Sequence, residues 1–165
     1  MNHSRYSWPL FAGIIWSILF ALMSFYWASG GMIGAATLGG EIYRMAIARE
    51  NDFVLIVWLT GILKLVGGLL LGTMLGNWEH KFFIKTVYFV AFVSGILLFL
   101  YGLVNFSTVL LSIINLLEMK IDSYAKWWRL LFWEPYWMLG GILYIISSRR
   151  FAMKSKRPRQ VSVIR

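Results

Sequence analysis

Two ionisable side chains, Lys64 and Glu134, stand in apolar surroundings where they could do chemistry. Lys64 interrupts residues 53–75, FVLIVWLTGILKLVGGLLLGTML, a run long enough to cross a bilayer core of about 30 Å as a helix. An ammonium at the centre of such a span costs roughly 2.5–3.5 kcal/mol, so the chain must turn it toward partner helices or a water-filled pocket. Glu134 opens the last apolar stretch and is the obvious opposite charge. Lys64 lies about 16 Å below the outer end of its helix, a gap that snorkelling of the long side chain shortens. The two groups can then meet directly, or through a water or ligand. With Glu134 as acid–base and Lys64 as electrostatic stabiliser, the pair would suit an isomerase-like reaction on a lipid or isoprenoid. With Tyr26, Trp27, Trp58, Thr60, Tyr101, Asn105, Tyr136 and Trp137 gathered around it, the same pair would equally line a site for a small amphiphile or lipid, or simply fix the bundle.

Other chemistries are excluded or unsupported. The chain has no cysteine, which rules out disulfides, thiolate catalysis and Cys-ligated metals. Its only histidines, His3 and His80, fall in short polar segments, so no metal centre is expected and nothing calls for a cofactor. No nucleophile triad is present, and the Gly30-Gly31 and Gly39-Gly40 pairs are too isolated to form a phosphate loop. The net charge of +9 does not point to nucleic acid, because Arg149, Arg150, Lys154, Lys156, Arg157, Arg159 and Arg165 crowd the tail behind an apolar span. Cations placed there set topology and attract anionic lipid headgroups.

The elements that must position Lys64 and Glu134 follow from composition. At 59% hydrophobic and 14% charged, the chain is more apolar than a soluble domain, which runs nearer 45–50% and about 25%. The expectation is an all-α integral membrane four-helix bundle, one domain over 1–148, followed by a basic cytoplasmic tail over 149–165. The spans are placed at about 9–28, 53–75, 86–104 and 130–148, with Pro9 in the first turn of the first. Ala28-Ser29-Gly30 offers a cleavage-like spacing, but the apolar run is longer than a signal core and Tyr26 and Trp27 crowd the site. In the first connection, EIYRMAIARE has helical spacing and suits a helix lying on the interface. Asn105, Ser107 and Thr108 are read as the membrane exit of the third span, with 109–119 as a second helical piece near the interface. Trp127, Trp128 and Trp133 form an aromatic belt before the last span. Gly68, Gly72 and Gly76 repeat every four residues and, with Gly140 and Gly141, are expected to let helices approach closely.

Orientation follows from the cations. Arg5, Lys81, Lys85 and the seven tail cations share one side, against Arg44, Arg49, Lys120, Lys126 and Arg129 on the other. The positive-inside rule then predicts a multi-pass protein of the cell membrane with both termini in the cytoplasm. Glu41, Glu50, Asp52, Glu118, Asp122 and Glu134 fall on the opposite side, where a polar and aromatic pocket would open.

Tyr26-Trp27-Ala28-Ser29-Gly30-Gly31 after the first span, paired with Trp133-Glu134-Pro135-Tyr136-Trp137-Met138-Leu139-Gly140-Gly141 at the last, resembles an uncharacterised bacterial family of four-helix integral membrane proteins. It is catalogued as a domain of unknown function of the 3995 type. The resemblance runs from the first span to about Ser148 and implies four spans and a site shared by helices one and four. Family members often carry a histidine two residues before the Tyr-Trp pair; Ser24 stands there in this chain, which removes a proton-transfer group. Together these readings favour a non-enzymatic protein that binds a small amphiphile or lipid, or acts as an accessory subunit. A lipid- or isoprenoid-modifying enzyme and a small homodimeric exporter are the alternatives. The expected partners are membrane lipids, with anionic headgroups at the tail, and a second copy or another membrane protein.

Overall fold

The computed structural model describes residues 4–155, with side chains from residue 8 onward; His3, Lys156, Arg157, Arg159 and Arg165 lie outside the described residues. Among these residues every regular element is helical. In chain order they are α1 (Ser4–Ala28), a 3-10 turn (Ala35–Thr37), α2 (Gly40–Ala48), α3 (Asn51–Thr73), α4 (Lys81–Ile113), α5 (Ser123–Trp128), a π turn (Arg129–Trp133) and α6 (Glu134–Ser155). Four stretches are long and apolar enough to cross a membrane: Trp8–Ala28, Asn51–Thr73, Lys81–Ile113 and the continuous Ser123–Ser155. Their apolar residues run all round each helix rather than along one stripe, the pattern of a helix surrounded by hydrocarbon. Leu63 and Leu69 on α3 and Leu97 and Val104 on α4 are more than half exposed, a surface that belongs against lipid tails. The protein is an all-α membrane bundle.

The long helices stand in a row rather than a square. α3 packs on α1, α1 on α6 and α6 on α4, whereas α3 and α4 scarcely touch. The core therefore lies along the α1–α6 seam, where Trp16, Phe20, Trp27, Trp133, Leu143 and Tyr144 are buried. Association between helices in lipid depends on close packing and hydrogen bonds, because tails are as apolar as leucine. Both are present. A Cβ placed on Gly95 would come 2.9 Å from the Gly141 carbonyl, and one on Gly141 would come 2.6 Å from that of Gly95, so α4 and α6 meet backbone to backbone. At the seam, Trp16 Nε1 donates to the Tyr136 carbonyl at 3.0 Å, and Ser17 and Tyr144 share a buried hydroxyl bond of 2.8 Å.

Several boundaries differ from those the sequence suggested. The third span does not end at Asn105. Asn105, Ser107 and Thr108 donate back to the carbonyls of Tyr101, Leu103 and Val104, so their donors are satisfied within the helix and α4 continues to Ile113. At 33 residues it is about 50 Å long. It stops at Asn115, whose φ of 60° allows the paired bonds Asn115→Ser112 and Leu116→Leu111 that close a helix end. Gly30, at φ 104°, ends α1 in the same way, with Gly30→Trp27 and Gly31→Tyr26 bonds.

Pro9 lies inside α1, which begins at Ser4, and not in its first turn. The last helix begins at Ser123 and reaches Ser155, so Arg149, Arg150 and Lys154 extend it rather than opening a separate tail. Pro135 does not start it. The Glu134 N–H reaches back five residues to the Arg129 carbonyl, and this π turn takes up the defect of a residue that lacks its own N–H. The first connection does contain a short helix, α2. Its Gly39–Gly40 corner sits on Ile121 and Ala125, which brings the first and third connections together at one end of the bundle. Lys154 Nζ on Asn77 Oδ1 at 3.1 Å marks the other end.

Candidate functional site

Lys64 stands close to the midpoint of the 23-residue α3 and turns toward α1. Its Nζ donates to Ser24 Oγ at 2.7 Å and lies over the Phe20 ring, 3.8 Å from the centroid, with the Trp137 ring at 5.2 Å. Ser24 is buried because α1 presents Ser17, Ala21 and Ser24 to its neighbours at helical spacing. Its hydroxyl also bonds to the Phe20 carbonyl at 3.2 Å. The ammonium thus has one hydroxyl oxygen and two aromatic faces around it, a cation–π arrangement with no ion pair to any described carboxylate.

Glu134 is not the partner of Lys64. It is 3% exposed and is held by Arg129, whose Nε and Nη2 reach Oε1 at 2.9 and 2.8 Å. The π turn explains the pairing. Residues five apart point away from each other on an α-helix, but a turn closed by an i→i+5 bond stacks them on one face. Arg129 Nη2 also reaches Asn105 Oδ1 at 3.3 Å, tying the turn to α4. Arg129 was visible in the sequence only as one more connection cation. No pattern in the sequence marks it, because the extra residue per turn has no signature beyond the proline that follows.

The expected ten-residue pocket divides. Lys64 and Trp137 meet on one side, and Glu134, Asn105 and Tyr101 on another, with Tyr101 linked to Trp137 at 5.0 Å between ring centroids. Trp27 donates from Nε1 to the Ile33 carbonyl at 2.9 Å, and Tyr26 Oη accepts from the Ile33 N–H at 3.3 Å, so both fasten the first connection. Trp58 packs on Phe25 at 5.2 Å, and Thr60 bonds to the Val57 carbonyl, so neither reaches Lys64. The glycine stripe divides too. Gly68 lies against Ser17 of α1, Gly72 faces open space, and Gly76 lies beyond the end of α3 beside Trp78. Gly140 sits beneath the Trp16 indole and Gly141 against α4.

A cleft of about 390 Å³ opens elsewhere, between α1, the 3-10 turn and the α5–α6 helix. Leu19, Phe20 and Met23 form one wall and Trp128, Phe132 and Tyr136 the opposite one, so of the ten expected residues only Tyr136 lines it. Its back is fixed by Trp133, whose Nε1 donates to Thr37 Oγ1 at 2.8 Å. Phe20 belongs to both places: it lines the cleft and carries the Lys64 ammonium. At the same end of the bundle, Arg44 pairs with Glu41 and Glu50 on the exposed face of α2. The hydrogen bond from Arg44 holds the Glu41 carboxyl below its ordinary value, with the guanidinium charge adding to it against slight desolvation.

Among the described residues the fold is that of a multi-pass helical membrane protein, with Lys64 and Glu134 in different polar clusters and an aromatic cleft beside them. The family model described as "Protein of unknown function (DUF3995)" matches residues 17–144, and the chain belongs to that family. Lys64, Ser24, Arg129, Glu134 and the cleft all fall within the matched segment. No curated protein and no solved structure matches the chain.

Proposed function

We propose that this protein binds a membrane amphiphile, with the apolar part of the ligand in the cleft between α1, the 3-10 turn and the α5–α6 helix. The observation that carries this reading is the cleft itself. Its 390 Å³ falls in the range of about 300–1,000 Å³ typical of small-molecule sites, and its walls are aromatic and aliphatic. Of the three hydroxyl-bearing residues that line it, Thr37, Tyr124 and Tyr136, Thr37 is already engaged by Trp133 and Gly34, and the two tyrosines pair an aromatic face with a polar tip, which suits an amphiphile. The excess of cations at the other end supports, by the positive-inside rule, a cleft on the non-cytoplasmic side that lipid of the outer leaflet enters sideways. An acid–base enzyme centred on Glu134 has less support, since that carboxylate is buried and bound by Arg129. A homodimer through the glycine face of α3 also has less, since Gly68 is covered by α1.

Native mass spectrometry of the protein gently extracted from its own membrane tests the proposal. Wild type should carry a discrete lipid or small-molecule adduct. Leu19→Trp, which fills the cleft from its rim, should lose that adduct, and Leu63→Trp on the lipid face of α3 should keep it. An absent adduct, or one indifferent to Leu19→Trp, removes the cleft as a binding site.

A further inference from the structure

Beyond the cleft, and independent of it, we propose that Lys64 is the recognition point for the carboxylate of a long-chain acid that reaches it sideways from the bilayer. An ammonium has three N–H donors. Only one meets a hydrogen-bond acceptor, Ser24 Oγ, and the rings of Phe20 and Trp137 supply aromatic faces but no acceptor atom. Glu134, the expected opposite charge, is taken by Arg129. The positive charge near the middle of α3 therefore lacks a counter-ion among the described residues.

Lys64 is only part-buried, and α3 is an edge helix with little contact to α6, so a lipid-borne ligand has an approach from the α3 side of the bundle. Charge matching narrows the ligand to a singly charged anion, and of the two common ones a carboxylate ends its chain, whereas a phosphodiester headgroup carries the same single charge between two ester arms that crowd a site walled by two aromatic rings. A carboxylate brings one negative charge and two acceptor oxygens, enough for the two remaining N–H donors, and leaves a neutral pair. A phosphate monoester brings about −1.5 to −2 and would leave net negative charge in hydrocarbon. A neutral headgroup would leave the ammonium uncompensated. A long alkyl chain keeps such a ligand in the bilayer, from which it approaches α3 sideways.

The test uses the full-length protein in phosphatidylcholine nanodiscs, photolabelled with a diazirine-bearing palmitic acid. Excess palmitate should suppress labelling near Lys64 by roughly tenfold, and methyl palmitate, which lacks the charge, should not. Lys64→Arg should retain this acid-over-ester preference and Lys64→Gln should abolish it. An ester that competes as well as the acid overturns the proposal, as does a Lys64→Gln protein that labels like wild type. The acid-against-ester comparison needs only the wild-type protein, so it stands even where a variant fails to fold. Leu19→Trp should leave the preference intact; if that change removes it, the acid lies in the cleft and Lys64 is not its recognition point.

Discussion

Lys64 and Arg129 both carry a positive charge on a membrane-crossing stretch, and the bundle treats them in opposite ways. Arg129 meets a carboxylate through two nitrogens and an amide oxygen through one of them, and the pair is sealed between the π turn and α4. Lys64 meets a neutral hydroxyl and two rings. A buried, bonded ion pair holds structure, because removing either partner strands the other in a low dielectric. An ammonium with donors to spare is costly to keep for structure alone. The difference separates a fastening from a receptor, and mutation can test the separation.

The largest effect is expected from Arg129→Ala, which leaves Glu134 buried and unpaired: a loss of about 3–5 kcal/mol in unfolding measured by steric trapping in bicelles. Glu134→Gln keeps an acceptor oxygen for Arg129 and should cost about 1.5–3 kcal/mol. Ser24→Ala should cost about 1–2 kcal/mol by taking the one hydrogen-bond acceptor from the ammonium. That cost should vanish in a Lys64→Met background, a double-mutant cycle that isolates the Ser24–Lys64 bond. Lys64→Met alone should stay within about 1 kcal/mol of wild type, because relief of the ammonium offsets the lost hydrogen bond and cation–π contact. A Lys64→Met protein as unstable as Arg129→Ala would erase the distinction.

Arg44→Ala on the exposed face of α2 should change nothing measurable, since solvent and salt screen the pair. The same pair gives a sign to any pH effect. A folded carboxyl held below its ordinary value adds stability at neutral pH and loses it as pH falls through the folded value, and here exposure makes that contribution undetectable.

The membrane class and the four long helices were legible in the sequence because hydropathy is a property of composition and needs no partner. Lys64 was legible as a residue that must turn inward, since its cost depends only on depth. Its partner was not. Pairing Lys64 with Glu134 rested on opposite charge and reach alone, and the π turn brings Arg129 round to Glu134 instead. The end of α4 was misplaced for a related reason. Asn105, Ser107 and Thr108 look like an exit by polarity, yet their side chains return to the helix backbone. Of the small residues expected at helix contacts, Gly68, Gly140 and Gly141 do lie against a neighbouring helix, whereas Gly72 faces open space, and Gly95, which meets Gly141 backbone to backbone, stands in no repeat. Contacts between distant helices leave no periodic trace in either one.

The row order of the helices bears on how the chain is assembled during synthesis. α1 and α3 pack on each other and both precede α4 in the chain, whereas α4 has almost no partner among the helices before it and packs on α6. The protein is thus two hairpins made in succession and joined along one aromatic seam, where Trp16 and Phe20 of the first meet Tyr136 and Trp137 of the second. The polar stretch 77–80 between them is then a natural place to divide the gene, and two co-expressed halves should find each other through that seam.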